Sequence, residues 1–177
     1  MRKLKDYIIC IKNVLSSDIC DKIVNDKTTK FQRAVLKDNE EAPQIRKCYV
    51  TTISPKFEDF VFKGVDLILE KYGETHPNFK AGLSCEDTGY EHLLYKGEEK
   101  GEYKEHIDAS ELIPRVLSCS FLLNDNYEGG EFSFFNKTYS VQGRKGDAVV
   151  FPSNFCFPHA ILPVTKGDRH AIITWIH

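Results

Sequence analysis

Lys145–Ile176 reads KGDAVVFPSNFCFPHAILPVTKGDRHAIITWI. It holds three short apolar runs, Ala148–Phe151, Phe155–Ile161 and His170–Ile176, rich in β-branched and aromatic residues. Runs of this length bounded by Gly, Pro and Asp read as strands and not as helices. Gly143-Arg144-Lys145-Gly146-Asp147 and Lys166-Gly167-Asp168 supply the turns. The same pattern extends upstream through Tyr90–Tyr95, Tyr103–Ile107, Val116–Leu123, Glu131–Phe135 and Thr138–Val141, with Glu128-Gly129-Gly130 as a further turn. Eight strands at such close spacing predict an antiparallel sandwich or jelly roll.

The first half reads differently. Tyr7–Ile11 is a short strand. Ser16-Ser17-Asp18 offers capping side chains to a helix carrying Ile19, Ile23 and Val24. Ser54-Pro55 opens a second helix with Phe57, Phe60, Val61, Val65, Ile68 and Leu69 on one broad face, ending near Tyr72-Gly73. The expected architecture is therefore α+β: one domain over 1–177, with a double-stranded β-helix (jelly roll) core from about 88 to 177. A helical elaboration from about 1 to 87 packs its helices on one sheet. The charged stretch Gln32–Gln44, with Asn39-Glu40-Glu41-Ala42-Pro43 as its least regular part, reads as a mobile lid or substrate loop.

Composition narrows the function. With 177 residues, 28% of them charged and a formal net charge of −2, the chain is an ordinary globular one that no bulk charge drives onto nucleic acid or anionic membrane. No apolar run approaches the roughly 20 residues of a membrane span. Tyr7–Ile11 is too short for a signal-peptide core, so a cytoplasmic location is expected. The six cysteines show no CxxC pair and read as reduced, structural thiols.

The chemistry begins at His106 and Asp108. In a strand, residues i and i+2 share a face, and an imidazole beside a carboxylate makes two parts of a 2-His-1-carboxylate site suited to Fe(II). His159 follows 51 residues later, and Arg169 ten residues beyond it, after a turn that folds the chain back. His159 and Arg169 can thus face one cavity, where a guanidinium would hold a carboxylate bidentately. His76 reads as a surface turn residue, His92 as structural, and His170 as pointing away from Arg169.

Tyr95, Gly101, Tyr103, His106 and Asp108, then Gly129-Gly130-Glu131, Lys145-Gly146-Asp147-Ala148-Val149-Val150-Phe151, His159 to Arg169 and Trp175-Ile176-His177 stand in this order. In that order they resemble the Fe(II)/2-oxoglutarate dioxygenases, and among them the prolyl 4-hydroxylases. The resemblance implies Fe(II) on His106, Asp108 and His159, with 2-oxoglutarate and O2 as co-substrates and ascorbate as a reductant. It implies that Arg169 and Tyr95 hold the co-substrate, and that Tyr103, Arg115, Trp175 and His177 line the substrate side. Leu122 stands where related enzymes often carry a tyrosine. The implied reaction hydroxylates prolyl residues of a peptide or protein while 2-oxoglutarate is decarboxylated to succinate and CO2. A hydroxylase of a free amino acid, a non-catalytic metal-binding jelly roll and a zinc hydrolase remain open as alternatives. A nucleic-acid partner is not expected, and the oligomeric state is left open.

Overall fold

The computed structural model describes residues 2–36, 41–81, 84–112 and 114–177. Its elements in chain order begin with β1 (Ile9–Ile11), α1 (Ser17–Val24), β2 (Gln32–Arg33), β3 (Arg46–Lys47) and β4 (Tyr49–Thr52), followed by α2 (Glu58–Thr75). Then come β5 (Glu91–Lys96), β6 (Glu102–His106), β7 (Leu117–Leu122), β8 (Glu128–Gly129), β9 (Phe132–Phe134) and β10 (Tyr139–Val141). The last four are β11 (Ala148–Pro152), β12 (His159–Ile161), β13 (Val164–Lys166) and β14 (Asp168–Ile176).

Local rules explain the helix ends. Ser16 Oγ accepts from the Ile19 amide at 3.3 Å, satisfying one of the donors that α1 would leave unpaired. Ser54 makes no such bond; Pro55–Phe57 form a 3-10 turn that leads into α2. The second helix runs past Gly73 to Thr75, because the His76 amide closes its last turn on Tyr72 O at 2.8 Å. One interior glycine costs a helix only about 1 kcal/mol.

Seven strands form one sheet in the order β1-β11-β7-β14-β5-β4-β2, and five form a second in the order β10-β9-β12-β6-β3. Every pairing in both is antiparallel. A two-stranded ribbon joins β13 to β8. This is a jelly roll. Its boundaries differ from those expected at one place: the segment 1–87 is not only helical. It donates β1, β2 and β4 to the larger sheet and β3 to the smaller. β1 falls within the strand read over Tyr7–Ile11, whereas β2, β3 and β4 have two to four residues each, too few for a hydrophobic period to register in sequence. The start of the stretch Gln32–Gln44, expected as a lid or substrate loop, is instead held in the sheet, since Gln32 and Arg33 pair with β4 and Ala34 is buried. Its residues 37–40, Asn39 and Glu40 among them, lie outside the described residues.

Strand alternation separates two cores. Leu117, Cys119 and Phe121 of β7, with Val150, Ile172 and Ile176, share a cluster with Val61, Val65 and Ile68 of α2. Leu122, Val149, Phe151 and Ile173 join Phe132, Phe134 and Ile161 of the smaller sheet in the cluster between the sheets. Phe121 therefore serves the helix side, away from the chemistry. Gly64 is where that contact is tightest, for a Cβ built on it would meet Phe121 Cε1 at 2.8 Å. Gly64→Val is expected to destabilise the fold by about 2–3 kcal/mol through overpacking. The urea midpoint should fall with an unchanged m-value, and an unaltered midpoint would mean that α2 yields at no cost.

Candidate active site

His106 ends β6 and His159 opens β12, and the two are directly paired across the smaller sheet. Asp108 lies two residues beyond the end of β6, so chain turning, and not strand alternation, brings it to the imidazoles. Its carboxylate oxygens stand 3.5 Å from His106 Nε2 and 3.5 Å from His159 Nε2. One ligand atom from each of the three residues lies within 4.8 Å of the others, a spacing a single metal ion can bridge.

The backbone decides which nitrogen is offered. His106 Nδ1 lies 2.8 Å from Lys104 O, and His159 Nδ1 3.1 Å from Phe157 O. A carbonyl can only accept, so each Nδ1 carries the proton and each Nε2 turns a lone pair toward Asp108. Ser118 Oγ donates to Asp108 Oδ2 at 2.7 Å and meets Ser153 Oγ at 2.9 Å, fixing the carboxylate from behind. Tyr103 stacks on the His106 ring with centroids 3.5 Å apart, and the Arg46 guanidinium lies 5.0 Å from the Tyr103 ring centre.

Electrostatics favour an ionised carboxylate. Burial alone would raise the Asp108 pKa, but the histidines and the Ser118 hydroxyl hold it below the usual carboxylate range. Burial pushes His159 down to about 4. Away from the site, His92 Nε2 lies 3.0 Å from His170 Nδ1 on the helix-facing side of the larger sheet, and burial pushes His92 down to about 3. Unfolded imidazoles titrate near 6.5. Between that pH and about 4 the unfolded chain binds more protons than the native one, so stability falls as pH falls, by up to about 1.4 kcal/mol per pH unit for each imidazole. Asp108 adds to the loss at lower pH, because a depressed carboxyl stabilises only while it is ionised. Urea midpoints of the metal-free protein should be level above pH 7 and drop from pH 6 to pH 5. Equal midpoints at pH 7 and pH 5 would refute neutral burial of these histidines.

A cavity of about 430 Å3 opens over the three residues. Arg169 and Tyr95 face each other across the paired strands β14 and β5, both buried, with the guanidinium 5.2 Å from the Tyr95 ring centre. Arg169 is 1% exposed, and its Nε and Nη2 have no hydrogen-bond partner. A buried guanidinium left so is costly, which suits a cavity meant to receive a carboxylate. Gly130 leaves the room: at φ +70° it carries no Cβ, which would sit 2.9 Å from Arg169 Cδ. Leu122 offers no hydroxyl here; the rings of Tyr95 and Phe132 flank the guanidinium instead.

Tyr103, Arg115 and Trp175 line the same cavity. His177 does not; its amide donates to Glu86 O, and its carbonyl accepts from Ser84 Oγ. Val35 and Leu36, which also line the cavity, fall in the stretch read as a lid or substrate loop. Sequence reasoning missed Arg46, which lines it too, and Ser118, which sits behind Asp108. No local signal marks Arg46, because β3 enters through its pairing with a distant strand. His76 is a second correction. It is buried against the rings of Tyr7 and Tyr72, since α2 runs far enough to carry it under the N-terminal segment.

Residues 91–177 match the family described as the 2OG-Fe(II) oxygenase superfamily. A PKHD-type hydroxylase of Colwellia psychrerythraea is 30% identical over 110 residues, covering 57% of this chain and 48% of that protein. Human prolyl 3-hydroxylase 2 is 36% identical over 66 residues, 34% of this chain and 9% of its own length. The chain thus spans less than half of either relative. A Pseudomonas putida prolyl-4-hydroxylase has the same fold, with a TM-score of 0.74 at 19% identity over 97% of this chain and 92% of that one. A Trichoplax adhaerens prolyl hydroxylase, solved with a hypoxia inducible factor peptide fragment, gives a TM-score of 0.75 at 18% identity over 97% and 83%. No helix among the described residues is long and apolar enough to cross a membrane.

Proposed function

We propose that this chain, whose residues 91–177 match the 2OG-Fe(II) oxygenase superfamily, is an Fe(II)- and 2-oxoglutarate-dependent dioxygenase that hydroxylates prolyl residues of a peptide or protein. The observation that carries the reading is the opposition of two features in one cavity. Two Nε2 atoms and a carboxylate converge on a common point, and across the cavity a buried guanidinium lacks partners for two of its nitrogens. The donor set fits Fe(II), and the guanidinium fits the distal carboxylate of 2-oxoglutarate.

His106, Asp108 and His159 would hold the iron, which supplies the oxidative decarboxylation of 2-oxoglutarate to succinate and CO2 coupled to hydroxylation. Arg169 and Tyr95 orient the co-substrate. Phe132 and Phe151, both lining the cavity, keep water from its floor. Tyr103, Arg115 and Trp175 face the substrate. Arg115 is fixed for this by donating from Nη1 to Asp108 O at 3.2 Å and by lying 3.6 Å from the centre of the Trp175 ring. On this reading α1 and α2 stiffen the larger sheet from behind, so that Tyr95 and Arg169 keep their register. The partner is a polypeptide containing proline, and the single domain works in the cytoplasm.

The test is succinate release with Fe(II), 2-oxoglutarate and O2, with and without proline-rich peptides, followed by mass spectrometry. A 16-dalton gain on proline (one added oxygen) is expected. Hydroxylation of free amino acids with a broad peptide panel untouched would overturn the peptide substrate.

A further inference from the structure

A second cavity of about 520 Å3 lies beside the metal pocket, and Arg115 lines both. Its far wall is aromatic, built from Tyr7, Tyr72, His76 and Phe79. His76 is 5% exposed and stacks on the Tyr72 ring at 4.7 Å. Burial, and then the nearby Arg2, push its pKa below the ordinary value. The charged residues of the lining are Arg2, which donates to Thr75 O, and Arg115, whose Nε is buried without a partner. No carboxylate is among the lining residues described. Leu112 and Phe155, 91% and 79% exposed, stand on the two loops that bring Arg115 and Asn154 to this cavity.

We propose that this cavity anchors the polypeptide substrate by taking a bulky apolar side chain flanked by an acidic residue, while the target proline lies at the metal pocket. The proposal rests on the prolyl-peptide reading above. Arg115 lines both cavities, so the two are neighbours and one extended segment passing over its guanidinium can reach both. The second cavity's volume suits a large side chain, whose burial against the aromatic wall contributes about 25 cal/mol per Å2 of apolar surface. Arg2, with no carboxylate among the lining residues described, complements an acid on the same segment. Arg115 already faces Asp108 and Glu91 of the metal pocket. Phe155, exposed and next in the chain to Asn154 of the lining, adds apolar surface of the kind a docking site uses.

Trp175 is the only tryptophan of the chain, and Arg115 stacks on it, so its fluorescence reports occupancy of either cavity. The titration uses the Fe(II)-loaded protein with 2-oxoglutarate under nitrogen, where binding occurs without turnover. The probes are tryptophan-free proline peptides, one series carrying Phe-Glu at varied distances from the proline and one carrying Ser-Ser. At one spacing the Phe-Glu peptide should bind about tenfold more tightly. Arg2→Glu and Asn78→Phe, at exposed positions lining the cavity, should each erase that preference. Equal binding of the two series, or a preference that survives both substitutions, overturns the anchor. Phenylacetate binding as tightly as the anchored peptide would overturn the polypeptide occupant in favour of a small carboxylate. In air, failure to hydroxylate either peptide while the anchored one keeps its advantage would overturn the prolyl target and uphold the anchor.

Discussion

Asp108→Ala is expected to yield a folded protein that neither retains metal nor turns over 2-oxoglutarate. The carboxylate is the only anionic ligand of the triad, and of the two imidazoles that remain burial lowers the His159 pKa, while the carbonyls of Lys104 and Phe157 orient both rings. Two imidazole nitrogens alone give a divalent cation little reason to leave water. Loss of a residue that merely orients a ligand costs about 10–100-fold; loss of the ligand itself should exceed that range in both metal affinity and turnover. Folding should survive because the substitution leaves no partner stranded, as Ser118 still has Ser153 at 2.9 Å. Metal content by atomic emission and succinate formation are the measurements. Normal turnover in the variant with iron supplied would remove Asp108 from the site.

Arg169→Leu should separate the co-substrate from the metal. Truncating one partner of a buried, hydrogen-bonded charge pair costs about 2–5 kcal/mol, which corresponds to a rise of about 30-fold to several thousandfold in the apparent KM for 2-oxoglutarate. Metal binding should persist, since no atom of Arg169 belongs to the triad. The leucine also removes a buried unpartnered cation, so the metal-free variant should be no less stable than the parent. Lys166 cannot compensate: it is exposed and paired with Glu128 at 2.8 Å on the ribbon. An unchanged KM would place the carboxylate elsewhere.

His159 and Arg169 were legible in the sequence because each lies in or beside a short apolar strand. His106 and Asp108, in and just after the charged β6, were legible by their spacing and by the order of the motifs. The cross-strand pairing of His159 with His106 then follows from antiparallel neighbours. One step of that reading had a different cause, for Asp108 reaches the histidines from beyond the end of β6. Arg46 shows the opposite case. It reaches Tyr103 only because β3, two residues long, pairs with β6, and no periodicity can mark so short a strand. Ser118 likewise reads as a small polar residue in an apolar run until the fold sets it behind Asp108.

The primary structure alone pointed to an antiparallel sandwich or jelly roll from close-spaced strands, and to three candidate metal ligands and a cation that the fold brings to one cavity. These rest on local backbone preference and on residue chemistry, both of which are written position by position. Only the tertiary structure decided that residues 1–87 complete both sheets, that His76 is buried while His177 stays out of the cavity, and that Arg115 joins two cavities. Each of these depends on pairing and packing between segments far apart in the chain, where the energy belongs to the contact and to neither residue by itself.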